Sequence, residues 1–246
     1  MLFGFELFFS LLIVVAASTV IGTVGFGFSL VAAPVLLLYL EPQQVVVVAN
    51  SLIALLMIMV LARTRNNLES KASLGLVLGG MAATPIGVLA LNSASPSVLR
   101  ITISIMIIFL GLVSLKNIQL PFSQNKAAGP VIGFLTSLAV TTIAIGGPLG
   151  AIYSMSQRWK PDMVRAALAL FFLASDLVAF PLYAATGLVE KDTIANIGVL
   201  IPGLIIGFFV ARTIVTWINE RIFRYVVVAV IVIAGSVTLI REFSRM

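Results

Sequence analysis

The 246-residue sequence predicts an all-α polytopic membrane protein built as two inverted repeats, each with a broken, re-entrant helix hairpin plus three transmembrane helices. Three observations point there. The apolar residues fall in blocks about as long as a bilayer is thick, a glycine break recurs at corresponding places in the two halves, and Lys and Arg concentrate in alternate loops. Hydrophobic residues make up 61% of the chain and charged ones 10%, with a mean hydropathy of +1.18. A soluble domain carries roughly 25% charged residues, because its surface must face water. The blocks run to about twenty residues, the length that spans hydrocarbon as a helix, and they lack the apolar/polar alternation of a membrane barrel. Helices remain, because backbone amides in lipid must be satisfied within the segment.

Read between polar breaks, the chain yields segments at 5–23, 28–40, 43–63, 73–91, 98–117, 127–145, 148–157, 162–188, 193–212 and 221–241. The first begins apolar without a basic leader or a small-residue cleavage site, so it reads as a membrane segment rather than a removed signal peptide. The second (Phe28 to Leu40) and seventh (Leu149 to Gln157) are too short to cross a core of ~30 Å at ~1.5 Å per residue. Each follows a glycine break, Gly25-Phe26-Gly27-Phe28-Ser29 in one case and Gly146-Gly147-Pro148 in the other.

A shift of 119 places Gly27 on Gly146 and Glu41-Pro42 on Lys160-Pro161. A shift of 120 places Gly87 on Gly207, and a shift of 124 places Arg100 on Arg224. Such self-similarity marks a duplication, with a first membrane repeat at 1–120 and a second at 121–246. If each short segment pairs with its predecessor as a hairpin, one face collects Arg63, Arg65, Lys71, Lys116, Lys126, Arg158, Lys160, Arg165, Arg212, Arg221 and Arg224. That face is expected to be cytoplasmic, with both termini outside. A hairpin plus three crossings is an odd number of passes, so the halves are expected to be inverted. The net charge of +6 comes without a basic run or an aromatic-interleaved patch, which argues against nucleic acid as a partner.

Interrupted segments at matching positions of two repeats point to a transport site near the bilayer midplane. A broken helix exposes unpaired N–H groups and a positive dipole end, which together bind an anion. The candidate substrate contacts are therefore Gly25, Phe26, Gly27, Phe28 and Ser29 at the first break and Gly146, Gly147 and Pro148 at the second. Ser29 is placed to cap or to donate, and Thr141 and Thr142 add hydroxyls before the second break. The same small residues also suit close helix packing. Asn50 and Ser51 lie inside the third segment, where the Asn50 amide suits either a substrate or a neighbouring helix. Phe26 and Phe28 suit a hydrophobic gate or lipid packing. Arg165 suits the cytoplasmic mouth or snorkelling to headgroups, and Pro34, Pro85, Pro181 and Pro202 read as kinks or helix ends.

Asp176 is the acid set deep within an apolar block. A carboxylate there costs about 2.5–3.5 kcal/mol, so it is expected in a wet cavity or beside a partner. Its candidate role is coupling, with protons as the coupling ion; the alternative is a structural acid. The sequence has no Cys and no His, which removes thiol and Ser-His-Asp nucleophiles and His/Cys metal centres. No cofactor, no metal and no enzyme activity are expected.

At these residues the chain resembles the sulfite exporter TauE/SafE family of bacterial membrane proteins. The resemblance lies in Gly22-Thr23-Val24-Gly25-Phe26-Gly27 through Ala33-Pro34, and in Gly133-Phe134-Leu135-Thr136-Ser137 through Gly146-Gly147-Pro148-Leu149. Length and the two repeats agree, so it covers essentially the whole chain. Family members often carry Gly-Gly-Gly near the first break, where this chain has Gly27-Phe28-Ser29, and the second break has two glycines. The resemblance implies a secondary transporter in the bacterial inner membrane, with export of small sulfur-containing or organic anions such as sulfite or sulfonates. A passive anion channel and a membrane subunit of a larger complex are the alternative readings. The expected partners are the lipid bilayer and the anion, and a homodimer is compatible though nothing in the sequence demands it.

Overall fold

The computed structural model describes residues 2–68, 70–114, 128–157, 159–214, 232–233 and 235–242. Among the described residues the chain is an all-α polytopic membrane protein with no strand. Its helices are α1 (Gly4–Val24), α2 (Phe28–Leu36), α3 (Pro42–Thr64), α4 (Ser70–Ser93), α5 (Pro96–Ser114), α6 (Ala128–Ile143), α7 (Gly147–Ser156), α8 (Pro161–Ala185) and α9 (Lys191–Ile214). A short 3₁₀ turn, Arg65–Asn67, follows α3, and residues 235–242 are helical. Lys116, Lys126, Arg158, Arg221, Arg224 and most of the predicted last segment lie outside the described residues.

Five helices (α1, α3, α4, α8 and α9) are long and apolar enough to cross a bilayer. Large apolar side chains stand exposed along them, among them Phe5, Ile58, Leu89, Leu177 and Phe209; water would not tolerate so much exposed hydrocarbon, whereas lipid does. The predicted short segments are short. Helix α2 has 9 residues and α7 has 10, about 14–15 Å at ~1.5 Å per residue. Nearly all of α2 is buried.

Helix starts follow from local chemistry. Pro42 and Pro161 open α3 and α8, where a missing N–H needs no partner, and the preceding Glu41 and Lys160 are extended (ψ 146° and 148°) as a residue before proline must be. Pro34, Pro85, Pro181 and Pro202 all lie inside helices. The ends of α1 and α6 (Val24 and Ile143), the starts of α2 and α7 (Phe28 and Gly147) and the starts of α3 and α8 (Pro42 and Pro161) each lie 119 residues apart.

Helices α3 and α8 form the centre: 67% and 61% of their apolar windows lie inside the molecule, against 33% for α9. They pack on one another, α4 packs across α8 and α6, and α9 packs across α3 and α1. The α4–α6 and α1–α9 contacts share one device. A Cβ on Gly79 would collide with the Pro130 carbonyl and one on Gly133 with the Leu76 carbonyl, while one on Gly207 would collide with the Val15 carbonyl. Backbones at that approach gain dispersion contacts that bulkier residues would forbid. Both contacts also hold interhelical hydrogen bonds: Thr142 Oγ1 donates to the Gly87 carbonyl and Thr19 Oγ1 to the Gly207 carbonyl, both at 3.2 Å, and the Thr84 and Ser137 hydroxyls of α4 and α6 bond to each other at 2.9 Å.

Gly133→Ala places a methyl against backbone that cannot swing aside, so it should destabilise the protein by about 2 kcal/mol, the usual cost of overpacking. Gly198, within α9, has open space at its Cβ position, and Gly198→Ala should be neutral or slightly stabilising. Thermal unfolding in detergent, followed by helicity, compares the two.

Candidate functional site: two helix breaks that meet

The first break begins where α1 stops. Gly25 takes the left-handed conformation (φ 93°) and its N–H returns to the Ile21 carbonyl at 2.7 Å. Gly27 is also left-handed (φ 97°) and stands as the N-cap of α2. An L side chain at either position would meet its own backbone, which is why the turn reads Gly-Phe-Gly. The second break is built the same way with different residues. Ala144 holds the left-handed position after α6 (φ 59°) at a cost of about 1–2 kcal/mol. Gly146 is the N-cap of α7, and Pro148 sits in its first turn.

These two breaks face each other. A Cβ built on Gly147 would lie 3.0 Å from Phe26 Cβ and 3.7 Å from the Gly27 nitrogen. Between them is a cavity of about 10 Å³, lined by Gly27, Phe28, Ser29, Ala144, Gly147 and Pro148, with walls from Ile53 of α3 and Phe172 of α8. That is room for about one water, too little for an anion as it stands. Ser29 is buried and its hydroxyl has no hydrogen-bond partner among the described residues. Helices α2 and α7 both begin at this space; in the first turn of α7 the Leu149 N–H bonds to the Gly146 carbonyl at 3.0 Å and Pro148 has no N–H to offer.

Of the predicted contacts, the structure therefore brings together Phe26, Gly27, Phe28, Ser29, Gly147 and Pro148, with Gly25 and Gly146 holding the turns. Four others, Asn50, Ser51, Thr141 and Thr142, stand apart from the cavity. Ser51 bonds back to the Val47 carbonyl at 2.8 Å, Thr141 to the Ser137 carbonyl at 2.8 Å, and Thr142 to Gly87 of α4.

Asn50 has a specific task. Its amide Nδ2 donates to the Val140 carbonyl at 3.2 Å and to Tyr183 Oη at 3.0 Å, and Tyr183 donates onward to the Thr141 carbonyl at 3.1 Å. One side chain from each central helix thus reaches the end of α6: Tyr183 serves the Thr141 carbonyl, and Asn50 adds a second bond to the Val140 carbonyl, which already accepts from the Ala144 N–H at 2.8 Å. The α1 end is satisfied otherwise: Arg165 Nη2 donates to the Thr23 carbonyl at 2.7 Å while Nη1 pairs with Asp162 at 3.2 Å. Arg165 points inward to the break rather than out to headgroups. Sequence reasoning missed Tyr183 and Phe172, because an aromatic in an apolar block reads as packing.

Asp176 lies on α8 seven residues before Tyr183, on the same helix face. It is buried, and neither carboxyl oxygen has a hydrogen-bond partner among the described residues. Among the described residues no cluster of His, Cys, Asp or Glu is arranged to hold a metal ion.

Tyr183→Phe removes the donor that satisfies the Thr141 carbonyl and should cost about 1–2 kcal/mol of stability. Thermal unfolding of the purified variant measures it.

The chain matches no curated protein and no solved structure. The model of one family, Sulfite exporter TauE/SafE, matches residues 10–238. That span contains both helix breaks, the central pair α3 and α8, and the carbonyl caps supplied by Asn50, Tyr183 and Arg165. A multi-pass membrane protein with these parts, matched along nearly its whole length, belongs to the TauE/SafE family of sulfite exporters, a family of transporters rather than enzymes.

Proposed function

We propose that this chain is a secondary transporter that exports small sulfur-containing or organic anions, such as sulfite or sulfonates, across the bacterial inner membrane. The anion binds between the two glycine-broken helices. The observation that carries this reading is the meeting of two helix N-termini at one cavity, where a Cβ on Gly147 would lie 3.0 Å from Phe26 Cβ and 3.7 Å from the Gly27 nitrogen. Two positive dipole ends stabilise a negative charge without a basic residue. A neutral lining also favours release, because binding to a fixed cation in low dielectric would be hard to reverse.

The halves 1–120 and 121–246 are proposed as inverted repeats. The constant 119-residue spacing of three helix boundaries supports this, as do the like contacts of α4 with α6 and of α9 with α1. In such a frame the cavity opens alternately to either face as one repeat moves against the other. Phe26, Phe28 and Phe172 are the side chains that must part. The loops bearing Arg63, Arg65 and Arg165 face the cytoplasm and both termini face outward in this reading, following the positive-inside rule.

Asp176 is proposed as the coupling residue, exchanging a proton between states of the cycle. Its support is position: a buried acid without a hydrogen-bond partner on a central helix, beside the network that caps the second break. A carboxylate would repel the anion directly, so its part is to link proton movement to helix movement.

Two experiments test this. In proteoliposomes, Gly147→Leu fills the cavity and should reduce sulfite counterflow at least about tenfold, the scale of a lost site; counterflow equal to the wild type's would remove the substrate from this cavity. In Asp176→Asn, sulfite counterflow should persist while acceleration by an imposed pH gradient disappears. A variant that still responds to the gradient would take Asp176 out of the coupling step.

A further inference from the structure

A second cavity, of about 120 Å³, lies where α1 and α3 end and α8 begins, lined by Gly22, Arg63, Thr64, Asn67, Asp162 and Arg165. It has room for several waters and so for a small oxyanion, unlike the space of about 10 Å³ between the breaks. Two guanidinium groups share this space with a single carboxylate. Asp162 is already paired with Arg165, and Arg63 makes no ion pair or hydrogen bond among the described residues. Arg165 uses two of its five N–H donors, one on Asp162 and one on the Thr23 carbonyl; the others remain for a ligand. The Arg165 side chain is about one-third exposed, so an anion reaches it without opening the fold.

We infer that Arg63 and Arg165 form an anteroom, a superficial oxyanion site distinct from the cavity between the breaks, that takes up a small anion before the first break admits it. The ligand class follows from the donors: a forked guanidinium matches the spaced oxygens of sulfite, a sulfonate or a carboxylate. The first break is within touch of this site. The Cβ position of Gly25 lies 3.3 Å from Arg165 Cγ, and the Thr23 carbonyl that Arg165 caps belongs to the last turn of α1. An anion that draws the Arg165 guanidinium toward Arg63 competes with that carbonyl for the same donors and loosens the end of α1 at Gly25. The second break has no such lever, because Asn50 and Tyr183 cap it from within the core and carry no charge. The inference builds on the proposed transport reading, and it assigns the two breaks different parts: the first yields to the ligand and the second stays fixed.

The test reads Arg63 directly and does not require transport. Full-length protein in lipid nanodiscs is treated with phenylglyoxal, with and without sulfite, and labelling at Arg63 is followed by peptide mass spectrometry. Sulfite should slow Arg63 labelling about tenfold at saturation, the scale expected when charged hydrogen bonds form. Protection should persist in Gly147→Leu, whose central cavity is filled, and should be lost in Arg165→Gln while Arg165→Lys keeps part of it. Equal labelling of the wild type with and without sulfite overturns the anteroom. Protection lost in Gly147→Leu also overturns it, by tracing the effect to the central cavity. If Arg165→Gln fails to fold, flux in Arg63→Gln decides instead. Its half-saturating sulfite concentration should rise about tenfold, and a wild-type value refutes the site. A wild type that protects Arg63 yet moves no sulfite would defeat the transport reading and leave the anteroom standing.

Discussion

Backbone polar groups at bilayer depth have no water to fall back on, and a helix that stops inside the membrane leaves several N–H and C=O groups without partners. This fold interrupts two helices and sets the two interruptions against each other. Side chains reach carbonyls beside both interruptions: Asn50 and Tyr183 serve the end of α6, and Arg165 serves the end of α1. The N-termini of α2 and α7 meet at the space between the breaks, and a helix N-terminus favours negative charge.

The rest of the architecture serves to hold the interruptions still. Helices α3 and α8 carry the caps and also wall the cavity, through Ile53 and Phe172. Close backbone contacts at Gly79, Gly133 and Gly207 fix α4 to α6 and α9 to α1. In lipid there is no hydrophobic drive to bring helices together, so close approach and interhelical hydrogen bonds must supply the association energy. The glycines here fall into two classes with separate physics. Those in left-handed turns, Gly25 and Gly27, are required by φ, and those in helix contacts are required by space.

The two breaks are capped differently. One is capped by a charged residue within reach of solvent, the other by neutral residues sealed in the core. A charged cap can be drawn off by a ligand, whereas a sealed neutral one exchanges only if the core opens. Ala144 in a glycine conformation adds local strain to the sealed break, which the surrounding core contacts hold in place.

Composition and block length determine membrane residence and the helical class, because both depend on the amount and spacing of hydrocarbon, which are properties of the linear chain. The breaks were legible for the same reason: Gly25-Phe26-Gly27 and Gly146-Gly147-Pro148 are local signals, and a left-handed or proline-started turn needs no tertiary partner to be recognised. Segment boundaries at Pro42 and Pro161 followed from the fixed φ of proline. Only the tertiary structure decided that the breaks touch, that Thr141, Thr142 and Ser51 turn their hydroxyls to backbone carbonyls outside the cavity, and that Arg165 reaches inward to the Thr23 carbonyl. Those outcomes depend on which faces of α4, α6 and α8 meet, and in an apolar helix every face looks alike to a linear reading. Tyr183 shows the difference most plainly: in sequence it is one more aromatic in a hydrophobic run, and its hydroxyl acquires a purpose only when the end of α6 is carried to within hydrogen-bonding distance.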